Sequence, residues 1–386
     1  MILKNIRLQN FRNYNSLDVE LSNGVNIIYG NNAQGKTNLL ESIYVLGLTK
    51  SHRSFVENNL ITNNCEQSKI IGFVEKDNIT SKYQVLLENK SLVKGHVVGK
   101  KLFIDYDEIK KVNEYISKVN VIIFYPEDLE MIKGSPNIRR QFLNSELSQL
   151  YSNYFKVLAD YNILLKKRNE FLKNLNKNSI VNEIHFNVIT DYLINKAIFL
   201  YRARHKFVEK LNLYCSKIYK KLSGVNGFRL EYKPNLVFDN YNQDYLYNFL
   251  KQEFEKVYEK EKKFGSTLIG PHRDELEFYI DDLDIKNYGS QGQQRMAVIA
   301  VKLSEIEIFK KNCKTTPILL LDDVFSELDE KKKNNLLFYI KDNIQTIITT
   351  TDLNNIDERI LKQARIFKVN KGKIMMKRRG VNYGRK

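Results

Sequence analysis

The sequence predicts an α/β fold in which a mixed sheet with an antiparallel β subdomain is split by an inserted helical lobe. Three observations carry that reading. Gly30-Asn-Asn-Ala-Gln-Gly35-Lys36-Thr37 fits the pattern G-x-x-x-x-G-K-[ST]. It follows the apolar run Val25-Asn-Ile-Ile-Tyr29 and precedes Leu39, Leu40, Ile43 and Leu46 at helical spacing. Pro317-Ile-Leu-Leu-Leu-Asp322-Asp323 is an unbroken aliphatic run ending in two acids, as a buried parallel strand reads. Between these motifs, residues from about 129 to 264 change to helical periodicity.

The elements follow in order. Ile6 and Leu8, then Leu17, Val19 and Leu21, alternate as half-buried antiparallel strands do. Residues 69–105 hold several short strands, with Lys76-Asp77-Asn78 and Glu88-Asn89-Lys90 as polar turns and Gly95 and Gly99 as interruptions. Val119 to Tyr125 is a further strand, stopped by Pro126. Ser135-Pro136 supplies an N-cap with proline in the first turn. From there Leu143, Leu147, Leu150, Tyr154, Val157, Tyr161 and Leu164 form a heptad stripe, widened by Phe142, Tyr151, Phe155 and Leu158. A second long helix carries Ala197, Leu200, Phe207, Leu211, Tyr214 and Ile218 and ends near Ser223-Gly224. Strands return near Thr267: Glu275 to Ile280 alternates, Asp281-Asp282 turns, and a strand follows to Lys286. A helix from about 292 to 311, a strand at 317–322 and a final strand at 344–350 complete the pattern. The expected domains are 1–128 and 265–386, the two parts of an ATPase lobe, and 129–264, a helical lobe with a short coiled-coil-like arm.

At 386 residues the chain exceeds one small core. Its formal charge of +17 favours a polyanionic partner, nucleic acid or an acidic membrane surface, against the plainer reading of a merely basic protein. Cys65, Cys215 and Cys313 show neither a disulfide framework nor zinc spacing, as in a reducing cytoplasm. The start Met1-Ile-Leu-Lys lacks the apolar region of a signal peptide, and Ile318–Leu321 is far too short to span a membrane. A soluble, cytoplasmic protein without a membrane partner is expected.

The chemistry resides in three places. The loop Gly30, Asn31, Asn32, Ala33, Gln34 and Gly35, continuing into Asn38, would turn backbone N–H groups toward nucleotide phosphates at a helix N-terminus. Lys36 would reach the β and γ oxygens of ATP, and the Thr37 hydroxyl would ligate Mg²⁺. At the end of the aliphatic strand, Asp322 would hold the Mg²⁺ shell and Asp323 would polarise the attacking water. Thirdly, Tyr288-Gly-Ser290-Gln-Gly292-Gln293-Gln-Arg295 opens a helix. Alone it reads equally as an ordinary loop and N-cap. As a second phosphate-binding helix terminus it exceeds what one P-loop fold needs for its own nucleotide.

In order with Ser326-Glu-Leu-Asp329, these motifs resemble the ABC-type head of SMC-like ATPases. More narrowly they resemble the RecF family of bacterial recombination mediators. The match also includes Leu8-Gln-Asn-Phe-Arg12-Asn-Tyr, Asn38-Leu-Leu-Glu41 and Ser51-His52-Arg53-Ser54. Further along it includes Pro126-Glu-Asp-Leu129, Gly134-Ser-Pro-x-x-Arg139-Arg140 and Gly270-Pro-His-Arg273-Asp-Glu-Leu276. The resemblance implies ATP-driven homodimerisation on gapped or branched DNA, single-stranded or duplex, and help with RecO and RecR in loading RecA. It also implies that Ser290, Gly292 and Gln293 meet nucleotide across the dimer, that Asp329 lies at the seam, and that Arg12 touches nucleotide. Three departures from transporter ABC proteins stand out: Gln291 in place of glycine, Asp323 in place of glutamate, and Thr349-Thr350-Thr351 where a switch histidine is usual. A slow, DNA-linked, switch-like ATPase is therefore the expectation.

Weaker features stay open in sequence. Arg53 and His52 suit DNA phosphates or an opposing subunit, and Arg139 and Arg140 read as DNA contacts or as a solvated helix face. His272 and Arg273 look like a structured turn, and Lys371, Lys373, Lys377, Arg378, Arg379, Arg385 and Lys386 make a basic tail. Two other functional classes share the ATPase motifs. One is a structural DNA tether, which the short insert opposes; the other is the ATPase subunit of a nuclease or defence complex, for which this chain offers no acidic nuclease cluster.

Overall fold

The computed structural model describes residues 1–53, 57–92, 95–176, 183–327, 332–333, 336 and 344–378. The predicted Asp329, and the basic tail from Arg379 onward, lie outside them. The chain forms two compact units, one of Met1–Asp128, Lys221–Gly224 and Ile299–Lys386, the other of Leu129–Lys220 and Val225–Val298.

In the first unit, β1 (Ile2–Phe11), β2 (Tyr14–Glu20) and β3 (Val25–Tyr29) lead into α1 (Lys36–Leu48). Next come β4 (Gln67–Lys76), β5 (Ile79–Leu92), β6 (Gly95–Ile104), β7 (Asp107–Ile109), the short α2 (Val112–Tyr115) and β8 (Val121–Phe124). The second unit supplies α3 (Glu130–Lys133), α4 (Pro136–Leu150), α5 (Ser152–Asn176), α6 (Glu183–Ser223) as far as Lys220, β9 (Phe228–Lys233), α7 (Gln243–Phe264), β10 (Glu275–Ile280), β11 (Leu283–Asp284) and α8 (Ile285–Tyr288). The chain re-enters the first unit within α9 (Gln291–Cys313) and ends in β12 (Ile318–Asp322), β13 (Thr346–Thr350), β14 (Arg365–Asn370) and β15 (Lys373–Arg378).

The first unit has two six-stranded sheets. One is antiparallel, in the order β2-β1-β4-β5-β6-β7. The other runs β15-β14-β3-β13-β12-β8, parallel except for β15 at its edge. Helix α1 touches β4 and β5 of the first sheet and β8 and β13 of the second. That explains its composition: Leu39, Leu40, Val45 and Leu46 are fully buried, and apolar residues go round the helix rather than along one stripe.

Two local expectations change here. Asp77 and Asn78, at φ 51° and 64°, make the tight β4–β5 turn that Lys76-Asp77-Asn78 predicts. Glu88-Asn89-Lys90 is not a turn; Glu88 pairs with Gln67 on one side and with Gly99 on the other, inside a sheet that extends past it. Gly99 likewise continues β6 rather than interrupting it. The chain also does not end its strands at 350. β14 pairs in parallel with β3, so the strand that delivers the phosphate loop lies inside the sheet.

In the second unit the heptad stripe is buried from Leu143 to Tyr161, although the helix breaks at Tyr151, where φ is −135°. Helix α6 runs 41 residues, roughly 60 Å. A small antiparallel sheet, β11-β10-β9, joins residues 275–284 to a strand inside the region read as wholly helical. The second unit consequently continues to Val298 rather than 264.

A candidate nucleotide site

The loop between β3 and α1 is held from both sides. Gly35 sits at φ 116°, a conformation that strains an L side chain, and a Cβ there would lie 2.7 Å from Asn13 Nδ2. The buried Tyr14 hydroxyl donates to the Gly35 carbonyl at 3.0 Å, and Asn13 Nδ2 donates to the Gln34 carbonyl at 3.1 Å. From the β14–β15 turn, Lys371 N donates to Gln34 Oε1 at 2.7 Å and Gly372 N to the Gln34 carbonyl at 3.0 Å. Residues of the β1–β2 and β14–β15 regions thus brace the loop.

Lys36 points back into this loop, donating to the carbonyls of Gly30 at 2.6 Å and Asn31 at 2.8 Å. It is 7% exposed; burial lowers its pKa, and the nearby Asp323 and Asp322 carboxylates oppose that shift. Asp322 ends β12 and is also buried. Its Oδ1 accepts from Thr37 Oγ1 at 3.0 Å and from Thr349 Oγ1 at 2.6 Å. Burial raises its pKa, opposed first by the Thr349 and then by the Thr37 hydrogen bond. Asp323 has φ 52°, and its N–H donates to Thr349 Oγ1 at 3.1 Å. Thr349 thus braces both acids. Sequence placed it only where a switch histidine is usual, and its place beside Asp322 follows from the pairing of β13 with β12.

These residues enclose a cavity of about 200 Å³ lined by Asn32, Ala33, Gly35, Lys36, Thr37, Asn38, Arg53, Asp322 and Asp323. The donor set fits a magnesium nucleotide: a hydroxyl and a carboxylate offer hard oxygens to Mg²⁺, and a lysine and a helix N-terminus face the phosphates.

The other predicted residues divide. Arg12 is not among the residues lining this cavity. Its Nε and Nη2 donate to Glu41 Oε2 and Oε1 at 2.9 and 2.7 Å, and the fully buried Glu41 also accepts from Ser51 Oγ at 2.5 Å. Arg53 takes a place in the lining instead, with Nη1 donating to Asn38 Oδ1 at 3.3 Å. His52 packs between two tyrosines. Its ring lies edge-on between Tyr44 and Tyr125, 5.1 and 4.9 Å away, and burial lowers its pKa to about 3.

In the second unit, Ser290 and Gln293 cap α9 reciprocally: Ser290 N donates to Gln293 Oε1 at 2.8 Å, and Gln293 N to Ser290 Oγ at 3.2 Å. Ser290, Gln291 and Gly292 are exposed, and a Cβ at Gly292 would meet nothing closer than Ser290 Oγ at 4.0 Å. Packing within the chain therefore gives no reason for glycine there.

The reading of Arg139 as a DNA contact is corrected. Arg139 is 3% exposed, paired through Nε and Nη2 with Glu275 at 2.5 and 2.7 Å, and its Nη1 donates to the Gly134 carbonyl at 2.9 Å. A guanidinium so enclosed reaches no phosphate. The half-buried Arg140 donates to the Asp274 carbonyl at 2.9 Å. The segment from Gly270 to Asp274 is a polar turn in which Asp274 is buried and Arg273 exposed: Arg204 donates to Asp274 Oδ2 at 2.6 Å, and Tyr161 Oη meets His272 Nδ1 at 2.6 Å.

Known proteins resemble this chain along nearly its whole length. Residues 2–375 match the family model described as the RecF/RecN/SMC N terminal domain. A protein of Listeria welshimeri serovar 6b named DNA replication and repair protein RecF is 39% identical over 375 residues, covering 97% of this chain and 99% of its own. One of the same name from Halalkalibacterium halodurans is 39% identical over 379 residues, covering 98% and 100%. The solved structure of the recombination mediator protein RecF with ATP in the RecFOR pathway superposes with a TM-score of 0.88 at 31% identity, covering 97% of each chain. An Smc head bound to the C-winged helix domain of ScpA shares the fold at a TM-score of 0.53 and 15% identity, over 99% of this chain and 98% of its own. On these matches, this chain belongs to the RecF family of DNA replication and repair proteins.

Proposed function

We propose that this chain binds Mg²⁺·ATP in the Lys36–Thr37–Asp322 cavity and hydrolyses it slowly, as a switch for binding DNA during recombinational repair. The observation that carries the reading is the convergence of the Lys36 ammonium, the Thr37 hydroxyl and the Asp322 and Asp323 carboxylates on one small cavity at the head of α1. Bound Mg²⁺ would offset phosphate charge and polarise the γ-phosphoryl group. Thr37 and Asp322 would hold it, Lys36 would exchange its two carbonyl acceptors for phosphate oxygens, and Asp323 would take the proton of the attacking water. Arg53, in the lining, would reach the nucleotide from the side.

Ser290 and Gly292 would act on the nucleotide of a second copy. Both are exposed, and the open space around Gly292 leaves room for close approach from outside the chain. ATP would then close a homodimer on single-stranded or gapped duplex DNA, in the cytoplasm. RecO and RecR would cooperate with it in loading RecA, a role drawn from membership of the family. The net charge of +17 supports a salt-sensitive, sequence-tolerant contact with DNA.

Calorimetry on Lys36→Ala tests the cavity: ATP binding should disappear in a folded protein, and near-normal affinity would remove the site. Sedimentation of Ser290→Arg tests the dimer. ATP should still bind the monomer but drive no association, whereas a dimer as strong as wild type would refute the cross-subunit role.

A further inference from the structure

A second, larger cleft of about 670 Å³ opens on the second unit along one face of α6. Its floor is apolar, made by Ile198, Phe199 and Ala203 with Tyr151 from the α4–α5 junction. Its rim carries Arg202, Lys206 and Lys210, and among the described residues none in the lining is acidic. The three cations recur every fourth residue, so they stand in a row on one helix face about 6 Å apart. Two acids of α5 and α6 have partners outside this row. Asp160 pairs with Lys196 at 2.8 Å, and Glu209 lies 3.4 Å from His205.

We propose that this cleft docks an acidic peptide segment of a partner protein. One large apolar side chain of the segment would rest on Ile198, Phe199 and Ala203, and its carboxylates would pair with Arg202, Lys206 and Lys210. Charge complementarity selects the sign of the occupant, and the apolar floor selects a side chain. The stretch from Ile198 to Lys210 spans roughly 18 Å of helix, the length of about five or six extended residues.

Nucleic acid fits less well. Base stacking needs an open aromatic face. The Lys210 ammonium donates to the Tyr151 hydroxyl at 3.1 Å, at the edge of that ring. The Phe199 ring leans on Tyr154, centroids 6.4 Å apart. The Tyr151 hydroxyl and the Phe199 ring both have partners within the chain, and the rest of the floor is aliphatic. The cleft shares no residue with the nucleotide cavity, so the two readings stand or fall separately.

The test uses the full-length protein and fluorescence anisotropy. The probes are a labelled decapeptide of aspartate and glutamate with one central phenylalanine, the same peptide with alanine in place of phenylalanine, its uncharged amide version, and a labelled oligothymidine. The acidic phenylalanine peptide should bind, and each peptide change should weaken it by about tenfold or more. The double substitution Arg202→Glu/Lys206→Glu should weaken it equally, with ATP binding and oligothymidine affinity unchanged. Lys206 is exposed, so Lys206→Glu alone serves if the double variant does not fold. Three results overturn the proposal: no binding of the acidic peptide at millimolar concentration, binding indifferent to these substitutions, or an oligothymidine affinity that falls by the same factor as the peptide's. The last would assign the cleft to nucleic acid.

Discussion

The Thr37 hydroxyl donates to the Asp322 carboxylate at 3.0 Å, joining the first turn of α1 to the end of β12 across 285 positions of sequence. The same oxygen accepts from Thr349 at 2.6 Å. A buried carboxylate whose pKa burial pushes upward is thus kept oriented, and favoured in its ionised form, by two hydroxyls. That is the state in which it could take a metal ion, with Thr349, on the strand between β12 and β3, holding its Oδ1 in place.

Thr349→Val should leave ATP binding nearly intact while slowing hydrolysis by about ten- to a hundredfold, the worth of one hydrogen bond to a charged group. It should also raise the Mg²⁺ concentration needed for half-maximal rate. Thr349→Ser, which keeps the hydroxyl, should restore most of both. Single-turnover assays across a Mg²⁺ series check this, and equal rates for valine and serine would disprove the bracing role.

Arg12 and Arg53 should separate by assay. Arg12→Ala leaves the fully buried Glu41 without its bidentate partner and should destabilise the fold by about 3–5 kcal/mol. Arg53→Ala, at an exposed residue, should leave the melting temperature nearly unchanged and weaken ATP binding. Thermal melts with and without ATP distinguish them. The reverse pattern would return Arg12 to the nucleotide.

For Arg139→Ala the expected loss is again stability, about 3–5 kcal/mol, because Glu275 loses both guanidinium bonds and the Gly134 carbonyl loses a donor. At temperatures where the variant remains folded, the slope of log DNA affinity against log salt should match wild type. A shallower slope would mean that this guanidinium meets phosphate after all.

His52 should make the protein acid-sensitive. Its ordinary pKa of 6.5 falls to about 3 on folding, through burial first and the nearby Arg53, Lys302 and Arg12 charges second. The unfolded chain therefore takes up a proton over a range where the folded chain does not. This contribution is fully present above about pH 6.5 and is lost progressively as pH falls toward 3. His52→Phe, which keeps an aromatic ring beside Tyr44 and Tyr125, should lack it. The stability difference between the two proteins should then move by about 2–3 kcal/mol in favour of the variant between pH ~7 and ~4.5. Parallel denaturant titrations measure it, and a pH-independent difference would contradict a buried neutral imidazole.

By itself the sequence determined those features whose chemistry is contiguous. Successive backbone N–H groups can cradle phosphate only if neighbouring residues form the loop, so Gly30 to Thr37 is legible as a string. The same holds for the aliphatic run into Asp322, whose unbroken apolarity follows from burial on both sheet faces, and for the stripe from Leu143 to Tyr161. Tertiary structure alone decided what each arginine does. A guanidinium pairs with whatever packing brings within its reach, and Glu41 and Glu275 lie 29 and 136 positions away from Arg12 and Arg139. Adjacent arginines on a helix also point about 100° apart, which is why Arg139 is enclosed while Arg140 is only half-buried. Thr349 shows the same limit from the other side. Its hydroxyl gains meaning only when β13 pairs with β12 in the register that sets Thr349 beside Asp322, a match of two distant strands that no local pattern encodes.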